Sequence, residues 1–333
     1  MLFILKVFLG NTFLFSDTFI LDILVREEDK KLKKAIIDVG TNSLRLLIAK
    51  ILDNSTCSPL FYRVEITRLG EGMGQEGKLS SKAIKRTIGV IQSYLRDIEE
   101  WGGEKVFITA TSAVREAVNG EYFVSRVKEE TGLYIKVLSG TEEAELSYLG
   151  VIKTLPENGE NPLVFDLGGG STEFIWRKGN EIFSESYKVG VVRLTEKYIS
   201  SDPPRQEELF QMEEHIKKTL KEMSRDKVNE QDKLVGVGGT ITSLAAMNQE
   251  LKVYQQEKVH GYVLSRENLA KQLNRLLLIK EPERKKLPGL QPQRADVIIA
   301  GTAAIITIMD LFNYREVTAS EGDLLIGAMY YFS

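Results

Sequence analysis

The sequence predicts an α/β protein made of two similar domains, and three observations lead to this prediction. Apolar, strand-like segments alternate with amphipathic, helix-like segments along most of the chain. The length of 333 residues suits two domains of average size. The segment IDVGTNS at residues 37–43 also returns as FDLGGGS at residues 165–171, which indicates two copies of one structural unit.

Composition excludes several classes of site. The formal net charge is −3, so the chain has no strong basic excess of the kind that nucleic-acid binding needs. One cysteine, Cys57, and two histidines exclude a disulfide framework and the usual four-ligand Cys/His zinc site. A bound metal ion is therefore expected on carboxylates, and an anionic ligand is expected to be held by local groups.

Residues 1–25 are unusually apolar, but Lys6, Asp17 and Asp22 interrupt them. No uncharged run reaches the ~18 residues that a membrane span needs, and the pattern of a signal peptide is not clear. We interpret residues 1–33 as an extension before the fold, with a signal peptide or anchor as the less favoured alternative. The prediction is a cytoplasmic protein without membrane contact.

The first half is predicted to start with a β-hairpin, because apolar residues 35–37 run into a glycine turn and resume as a strand at 44–49. A helix follows, in which apolar residues recur at steps of three and four from Ile84 to Ile98. Ser80 is its predicted N-cap and a glycine pair at 102–103 ends it. Strands at 105–109 and 134–138 and helices at 121–130 and 142–153 complete this half.

The second half repeats the scheme. Its hairpin, at 163–165 and 173–176, is extended by a strand at 181–187, and a charged helix is predicted at about 205–224. A strand at 234–237 leads through a third glycine turn into another helix. We divide the chain into domain I at 34–141, with a return of the chain to it at about 313–333, and domain II at 142–312.

Three glycine turns that follow apolar strands are candidate phosphate sites. Glycine lets backbone N–H groups approach an anion closely, and neighbouring hydroxyls add donors. The third turn also opens a helix, whose N-terminus favours negative charge. Each turn alone is more often only a tight turn, whereas three together predict phosphate binding. The predicted residues are Asn42, Ser43, Gly168, Gly169, Gly170, Ser171, Gly238, Gly239 and Thr240.

Acidic residues at two of these turns are candidate metal ligands. Asp38 and Asp166 end buried strands where a carboxylate can bind Mg²⁺ that bridges phosphate oxygens. Glu173 lies on the strand after the second turn, on the same strand face as Ser171. The alternative is that the aspartates only cap their own loops and that Glu173 is an exposed strand residue.

Glu142 and Glu143 lie in the first turn of the helix that joins the two halves, where the helix dipole keeps a carboxylate ionised. On a helical wheel Glu143 falls opposite the apolar arc, on a face of small residues that we predict to be open. Glu143 is the favoured general base and Glu142 the weaker candidate. Solvated first-turn glutamates remain the alternative for both.

Residues 109–115 run from a strand into hydroxyl groups and then an arginine. Thr111 and Ser112 could meet substrate there, and Arg115 could present its guanidinium group to phosphate. A surface arginine beside Glu116 is the alternative. His260 is not assigned a catalytic role.

Taken in this order, the motifs resemble those of the exopolyphosphatase and guanosine pentaphosphate phosphohydrolase family, within the actin, hsp70 and sugar-kinase superfold. The resemblance covers nearly all of residues 34–333. It implies two actin-like (ribonuclease H-like) domains with mixed sheets flanked by helices and an interdomain cleft. The motifs that carry it are residues 37–45, 109–117, 138–144, 166–173, 189–196, 237–240, 259–262 and 294–296.

The resemblance implies Mg²⁺-dependent removal of the terminal phosphate from polyphosphate, or of the 5′ γ-phosphate from guanosine pentaphosphate. The family's base falls on Glu143. Its metal and phosphate positions fall on Asp166, Glu173, the turn at 168–171 and Arg115. Arg45, Arg193, Arg266 and Arg294 are unranked candidates for contacts to the outer part of the substrate.

Two departures from the family limit this transfer. Many members carry the sequence GLREG near the C-terminus, where this chain has GDLLIG at residues 322–327. Larger members also continue with helical domains, so neither processivity nor a dimer is implied. The alternative functions are a small-molecule kinase of the same superfold, or a non-catalytic guanosine tetraphosphate sensor or filament. The single cysteine argues against the zinc-bearing sugar kinases.

Overall fold

A computed structural model of the chain describes residues 32–53, 56–71, 73, 77–155, 161–221, 223 and 233–332. The apolar segment at residues 1–25 lies outside these ranges, so its interpretation as a dispensable extension stays a prediction. Lys33 already belongs to the first strand.

Strands and helices alternate as the sequence predicts. The strands are β1 (Lys33–Val39), β2 (Ser43–Asp53), β3 (Thr56–Ile66), β4 (Lys105–Ala110), β5 (Ile135–Val137), β6 (Pro162–Leu167), β7 (Thr172–Lys178), β8 (Glu181–Tyr187), β9 (Lys233–Val237), β10 (Val263–Ser265) and β11 (Glu316–Ser320). The helices are α1 (Ser81–Glu100), α2 (Ser112–Glu116), α3 (Gly120–Thr131), α4 (Gly140–Thr154), α5 (Val191–Tyr198), α6 (Gln206–Leu220), α7 (Gly239–Asn248), α8 (Gln256–Val259), α9 (Arg266–Leu277), α10 (Glu281–Arg284), α11 (Ile298–Phe312) and α12 (Leu324–Tyr331), with a 3₁₀ turn at Pro292–Arg294.

The two sheets share one topology. The first has the order β3-β2-β1-β4-β5, and the second, read in the corresponding direction, has the order β8-β7-β6-β9-β11-β10. In each sheet three antiparallel strands are followed by two strands that continue in parallel, and β10 adds an antiparallel edge strand to the second sheet. The repeat seen in the sequence therefore extends to the whole sheet, and the predicted α/β fold with two mixed sheets flanked by helices is confirmed.

Local chemistry explains where the helices begin. The side chain of Ser80 accepts a hydrogen bond from the backbone N–H of Ala83 and caps α1, whose isoleucines at 84, 88, 91 and 98 are buried. Ser139 and Glu142 form a reciprocal capping box at the start of α4. The predicted helix at 205–224 is shorter in the structure, where α6 ends at Leu220.

One boundary inside the predicted domain division shifts. The sequence placed residues from about 313 in the return to domain I, but β11 pairs with β9 and β10 in the second sheet. β11 occupies the position that β5 has in the first sheet, so the repeat itself requires it there. Only α12, after Ser320, packs on the first sheet. The division into domains otherwise stays a prediction.

Helices α4 and α12 lie between the two sheets. Ala144, Tyr148 and Val151 of α4 pack on the second sheet, whereas α12 packs on Ile36 and Leu47 of the first. On the face of α4 that the helical wheel predicts to be open, Gly150 is closed by this contact, whereas Glu143 and Ser147 line a cleft. A Cβ on Gly150 would lie 2.0 Å from the backbone oxygen of Asp323, so the small residue permits close backbone packing instead of leaving space.

Candidate active site

The ends of the central strands of both sheets open onto one cleft of about 840 Å³. The cleft brings together both halves of the repeat with the helix between them. Of the predicted site residues, it is lined by Asp38, Asn42, Ser43, Arg45, Thr111, Glu143, Asp166, Gly238 and Gly239.

The first two glycine turns have the same backbone geometry. Gly40 N–H donates to the carbonyl of Ser43, and Gly168 N–H donates to the carbonyl of Ser171, each at 3.0 Å. In both copies the hydrogen-bonded glycine lies two residues after an aspartate that is the penultimate residue of its strand. The turns therefore place Asp38 and Asp166 at equivalent positions of their sheets.

These two aspartates nevertheless have opposite surroundings, because their cross-strand neighbours differ. Asp38 pairs with Arg45 on β2, whereas Asp166 pairs with Glu173 on β7. Arg45 donates from Nη2 to Asp38 Oδ2 at 2.7 Å and also forms an ion pair with Asp323. Asp38 is thus neutralised by a cation, while Asp166 faces a second carboxylate.

Asp166 has no hydrogen-bond or ion-pair partner among the residues that the structure describes. Burial raises the pKa of its carboxyl group to about 6, and the negative charge of Glu173 adds to this shift. The third turn lies against it, since a Cβ on Gly238 would be 2.9 Å from Asp166 Oδ1. A cation at Asp166 would remove both unfavourable effects.

The three predicted metal ligands do not form a ready-made cluster. No group of three acidic, histidine or cysteine side chains that could hold a metal ion occurs in the described ranges. Asp38 accepts hydrogen bonds from Arg45. Glu173 Oε1 accepts hydrogen bonds from the hydroxyl groups of Ser171 at 2.6 Å and Ser186 at 2.7 Å. Only Asp166 is available, and it fits Mg²⁺, which commonly takes one or two carboxylates plus waters and substrate phosphates.

The adjacent glutamates of α4, Glu142 and Glu143, also have different surroundings and pKa shifts. Glu142 Oε2 accepts from the backbone N–H of Ser139, and Oε1 pairs with Lys136 at 2.9 Å. The hydrogen bond from Lys136 is the main reason that the pKa of Glu142 falls to about 2. Glu143 points into the cleft, and burial raises its pKa although Arg115 opposes the shift. Only Glu143 has the environment of a proton acceptor.

Arg115, the predicted phosphate ligand, contacts the candidate base in this structure. Its Nη1 donates to the carbonyl of Leu138 at 2.8 Å and to Glu143 Oε2 at 3.0 Å. The guanidinium group therefore orients Glu143 from behind, and Arg115 is not among the residues that line the cleft.

Several other predicted phosphate residues also lie off the cleft wall. Thr240 is buried, with its methyl group against Gly301 of α11. Ser112 shares a 3.0 Å hydrogen bond with the hydroxyl of Thr41 and so supports the first turn. Gly168, Gly169, Gly170, Ser171 and Glu173 are likewise absent from the lining.

Arg294, which the sequence left unranked, is the cation most available to an anion in the cleft. Its guanidinium group lies against the third turn, where a Cβ on Gly239 would be 1.9 Å from Arg294 Nη2. No carboxylate in the described part of the chain pairs with it, and burial lowers its pKa. An arginine in this state is suited to phosphate.

The structure also adds residues that sequence reasoning missed. Asp323 caps α12 and reaches Arg45, and Tyr254 donates to Glu321 at the edge of the cleft. Within the departure at residues 322–327, Leu325 is buried in the core between the sheets. His260 bridges the carbonyl of Thr154 and the N–H of Glu321.

Helices in the described ranges include none that is both long enough and apolar enough to cross a membrane.

Comparison with known proteins identifies relatives over most of the chain. The model of the Ppx/GppA phosphatase family matches residues 47–331. Exopolyphosphatase 2 of Mycobacterium tuberculosis is 33% identical over 306 residues, which cover 88% of this chain and 96% of that protein. A bifunctional 3-dehydroquinate synthase/phosphatase of Fusobacterium nucleatum is 35% identical over 89% of this chain, which spans only 46% of that protein.

Solved structures give the same result. The crystal structure of the type II variant of the Aquifex aeolicus Ppx/GppA phosphatase matches with a TM-score of 0.81 and 35% identity, over 90% of this chain and 99% of that one. An exopolyphosphatase from Cytophaga hutchinsonii matches with a TM-score of 0.76 and 29% identity, over 90% and 97% of the two chains.

Proposed function

Because the chain belongs to the Ppx/GppA phosphatase family, we propose that it hydrolyses the terminal phosphoanhydride bond of a polyphosphate chain. The substrate is inorganic polyphosphate or the 5′ triphosphate part of guanosine pentaphosphate. Asp166 holds Mg²⁺ and Glu143 is the general base.

One observation carries this proposal: the cleft contains Asp166 and Arg294, neither of which has an ion-pair partner in the described ranges, together with Glu143, a carboxylate with a raised pKa. Each of these groups is unfavourable in an empty cleft. A phosphate chain with its counter-cation would satisfy the first two together, since the cation meets Asp166 and the phosphate oxygens meet Arg294.

Glu143 supplies the proton acceptor. A carboxylate oxygen of Glu143 takes a proton from water, the water oxygen forms a bond to the terminal phosphorus, and the bond from that phosphorus to the bridging oxygen breaks. The shortened chain leaves with the electrons of that bond. A raised pKa makes Glu143 a better base at neutral pH, and Arg115 keeps its carboxylate directed at the water.

The remaining groups bind and orient the substrate. The hydroxyl of Ser43 and the amide of Asn42 lie at the first turn, and the backbone at Gly238 and Gly239 opens helix α7. Such a helix N-terminus stabilises negative charge. A magnesium ion at Asp166 would neutralise charge on the phosphate oxygens.

The direct test is phosphate release from tripolyphosphate, guanosine pentaphosphate and ATP, with and without Mg²⁺. We expect release from at least one of the first two, dependent on Mg²⁺. Transfer of phosphate from ATP to a small alcohol would indicate a kinase instead. Tight binding of guanosine tetraphosphate without any release of phosphate would indicate a sensor.

A further inference from the structure

Arg294 lies on a long connection between two helices. This connection runs from residue 278, after α9, to residue 297, before α11, and it contains α10 and the 3₁₀ turn. Within the described ranges the side chain of Arg294 forms one hydrogen bond, from Nε to Gln291 Oε1 at 3.4 Å, and Gln291 belongs to the same connection. The position of the guanidinium group in the cleft therefore depends on what holds the connection in place.

Arg284 holds the connection from inside the protein. It is only 3% exposed, and its guanidinium group donates in three directions. Nε donates to the carbonyl of Ala295 at 3.0 Å, Nη1 donates to the carbonyl of Ile279 at 2.8 Å, and Nη2 forms a 2.8 Å ion pair with Asp202 Oδ1. Ala295 directly follows Arg294, so one of these contacts fixes the backbone beside the cleft arginine.

Asp202 is held in place on both sides. Its Oδ2 accepts a hydrogen bond from the backbone N–H of Glu281 at 2.8 Å, so this carboxylate contacts the connection a second time. The loop that carries Asp202 is closed by Glu208 of α6, which accepts hydrogen bonds from the hydroxyl groups of Ser200 at 2.6 Å and Ser201 at 2.5 Å. A series of contacts therefore leads from α6 through Asp202 to the connection.

The connection also packs closely on α7, the helix that begins at the third turn. Gly289 has a φ of +81°, and a Cβ there would lie 2.4 Å from the backbone of Ala246 near the end of α7. At the other end of the same helix, Arg294 lies against Gly239. Arg284 thus holds a connection that is already placed along α7, and its own contact is the one nearest to Arg294 in the chain.

A buried arginine suits the task of placing a backbone segment. Burying a charge adds little net stability even when the charge is paired, so stability alone does not account for an arginine at this position. The planar guanidinium group donates in fixed directions, and its three acceptors are therefore held at fixed relative positions.

From this arrangement we propose that Arg284 is a positioning residue for substrate phosphate. Through the carbonyl of Ala295 it holds Arg294 against the third turn, and Asp202 keeps Arg284 in the required orientation. The inference rests on the proposed function, because it takes Arg294 to contact phosphate oxygens. Arg284 does not line the cleft, so it acts on the ligand through Arg294.

The test is a double-mutant cycle with tripolyphosphate as the probe. Its Kd is measured by calorimetric titration without Mg²⁺, and its KM by phosphate release with Mg²⁺. Arg284→Lys keeps the positive charge opposite Asp202, but an ammonium group cannot reproduce the donors of the planar fork. We expect Kd and KM to rise about tenfold, within the range of coupling inside one hydrogen-bond network. In an Arg294→Ala background the same substitution should change Kd by less than about twofold, because the side chain that it positions is gone.

Asp202→Asn tests the same contact by a milder change. The Asp202 side chain is partly exposed, so the substitution keeps the fold intact even if Arg284→Lys does not. It removes the charge that orients Arg284 and should weaken tripolyphosphate binding by about threefold. This effect, too, should disappear in the Arg294→Ala background.

Arg63→Lys is the matched control. The guanidinium group of Arg63 pairs with Glu65 at 2.8 Å and with Asp97 at 2.7 Å in the other half of the chain, and it does not line the cleft. The same substitution there should leave Kd and KM unchanged. A rise in Kd as large as that of Arg284→Lys would overturn the proposal, because it would be a general effect of replacing a paired arginine.

The cycle separates positioning from a purely structural role. An equal rise in Kd with and without Arg294 would overturn the proposal, since Arg284 would then act through the fold as a whole. An unchanged Kd in both Arg284→Lys and Asp202→Asn, or in Arg294→Ala alone, would overturn it as well. If tripolyphosphate binds with the expected pattern but no phosphate is released, the positioning role stands and the proposed function fails.

Discussion

The adjacent carboxylates Glu142 and Glu143 give the sharpest prediction, because the same substitution should have opposite consequences at the two positions. Glutamine preserves the size of the side chain and removes its charge and basicity. Glu142→Gln should reduce stability and leave the rate within about tenfold. Glu143→Gln should reduce kcat by ~10²- to 10⁴-fold, the usual contribution of a general base, and leave stability nearly unchanged.

The stability difference follows from the contacts. Glu142 closes the capping box of α4 and pairs with Lys136 at 2.9 Å. Because this pair is partly exposed and screened by solvent, we expect the loss in the free energy of unfolding to be about 1 kcal/mol. Glu143 is an ion whose burial raises its pKa, so a neutral glutamine there removes a cost of burial and can still accept from Arg115.

The pH dependence has a definite sign. The pKa of Glu142 is about 2 in the folded chain against an ordinary value of 4.5. A depressed pKa of an acid stabilises the fold at pH above the unfolded value, and this contribution disappears as the pH falls from about 4.5 to about 2. The Glu142→Gln variant should therefore lose less stability than the unmodified chain over that range.

Urea unfolding at pH 7 and across the acid range measures stability, and phosphate release under saturating substrate measures kcat. An inactive but normally stable Glu142→Gln, together with an active Glu143→Gln, would refute the reasoning. The base would then be Glu142, and the capping box would not be its main role.

Three further predictions concern the metal position, the orientation of the base and the helix pair. Asp166→Asn should abolish the dependence of phosphate release on Mg²⁺. Because it removes a buried charge, it should also raise the free energy of unfolding without metal by up to about 3 kcal/mol. An unchanged Mg²⁺ concentration for half-maximal activity would contradict the metal assignment. Arg115→Ala should lower kcat more than it raises KM. It should also move the acid limb of the pH–rate profile to higher pH, since Arg115 lowers the pKa of Glu143. A change in KM alone would instead support a role in binding substrate phosphate. Gly150→Ala should destabilise the chain by about 1–3 kcal/mol through overpacking against the backbone of Asp323, whereas a neutral effect in urea unfolding would show that α4 and α12 separate easily.

Part of the site can be predicted from hairpin geometry alone. A hairpin that turns at residues 40–43 must pair Asp38 with Arg45, and the corresponding turn at 168–171 must pair Asp166 with Glu173. The different surroundings of the two aspartates are thus implied by hairpin register.

The role of Arg115 shows the limit of such rules. Its sequence neighbours indicate only an arginine after a strand, and its partners, Leu138 and Glu143, lie 23 and 28 residues further along the chain. Only the packing of α2 beside the start of α4 decides that the guanidinium group contacts a carboxylate and a carbonyl of that segment.

By itself the sequence determined the alternation of strands and helices, the internal repeat and the glycine turns, because periodicity, capping and hairpin closure depend on residues a few positions apart. Tertiary structure alone decided that Asp323 reaches Arg45 across 278 residues, that Arg294 lies against the third turn, and that strand β3 lines the same cleft. These contacts join distant segments, and their geometry depends on how two sheets and two helices pack, which no local pattern specifies.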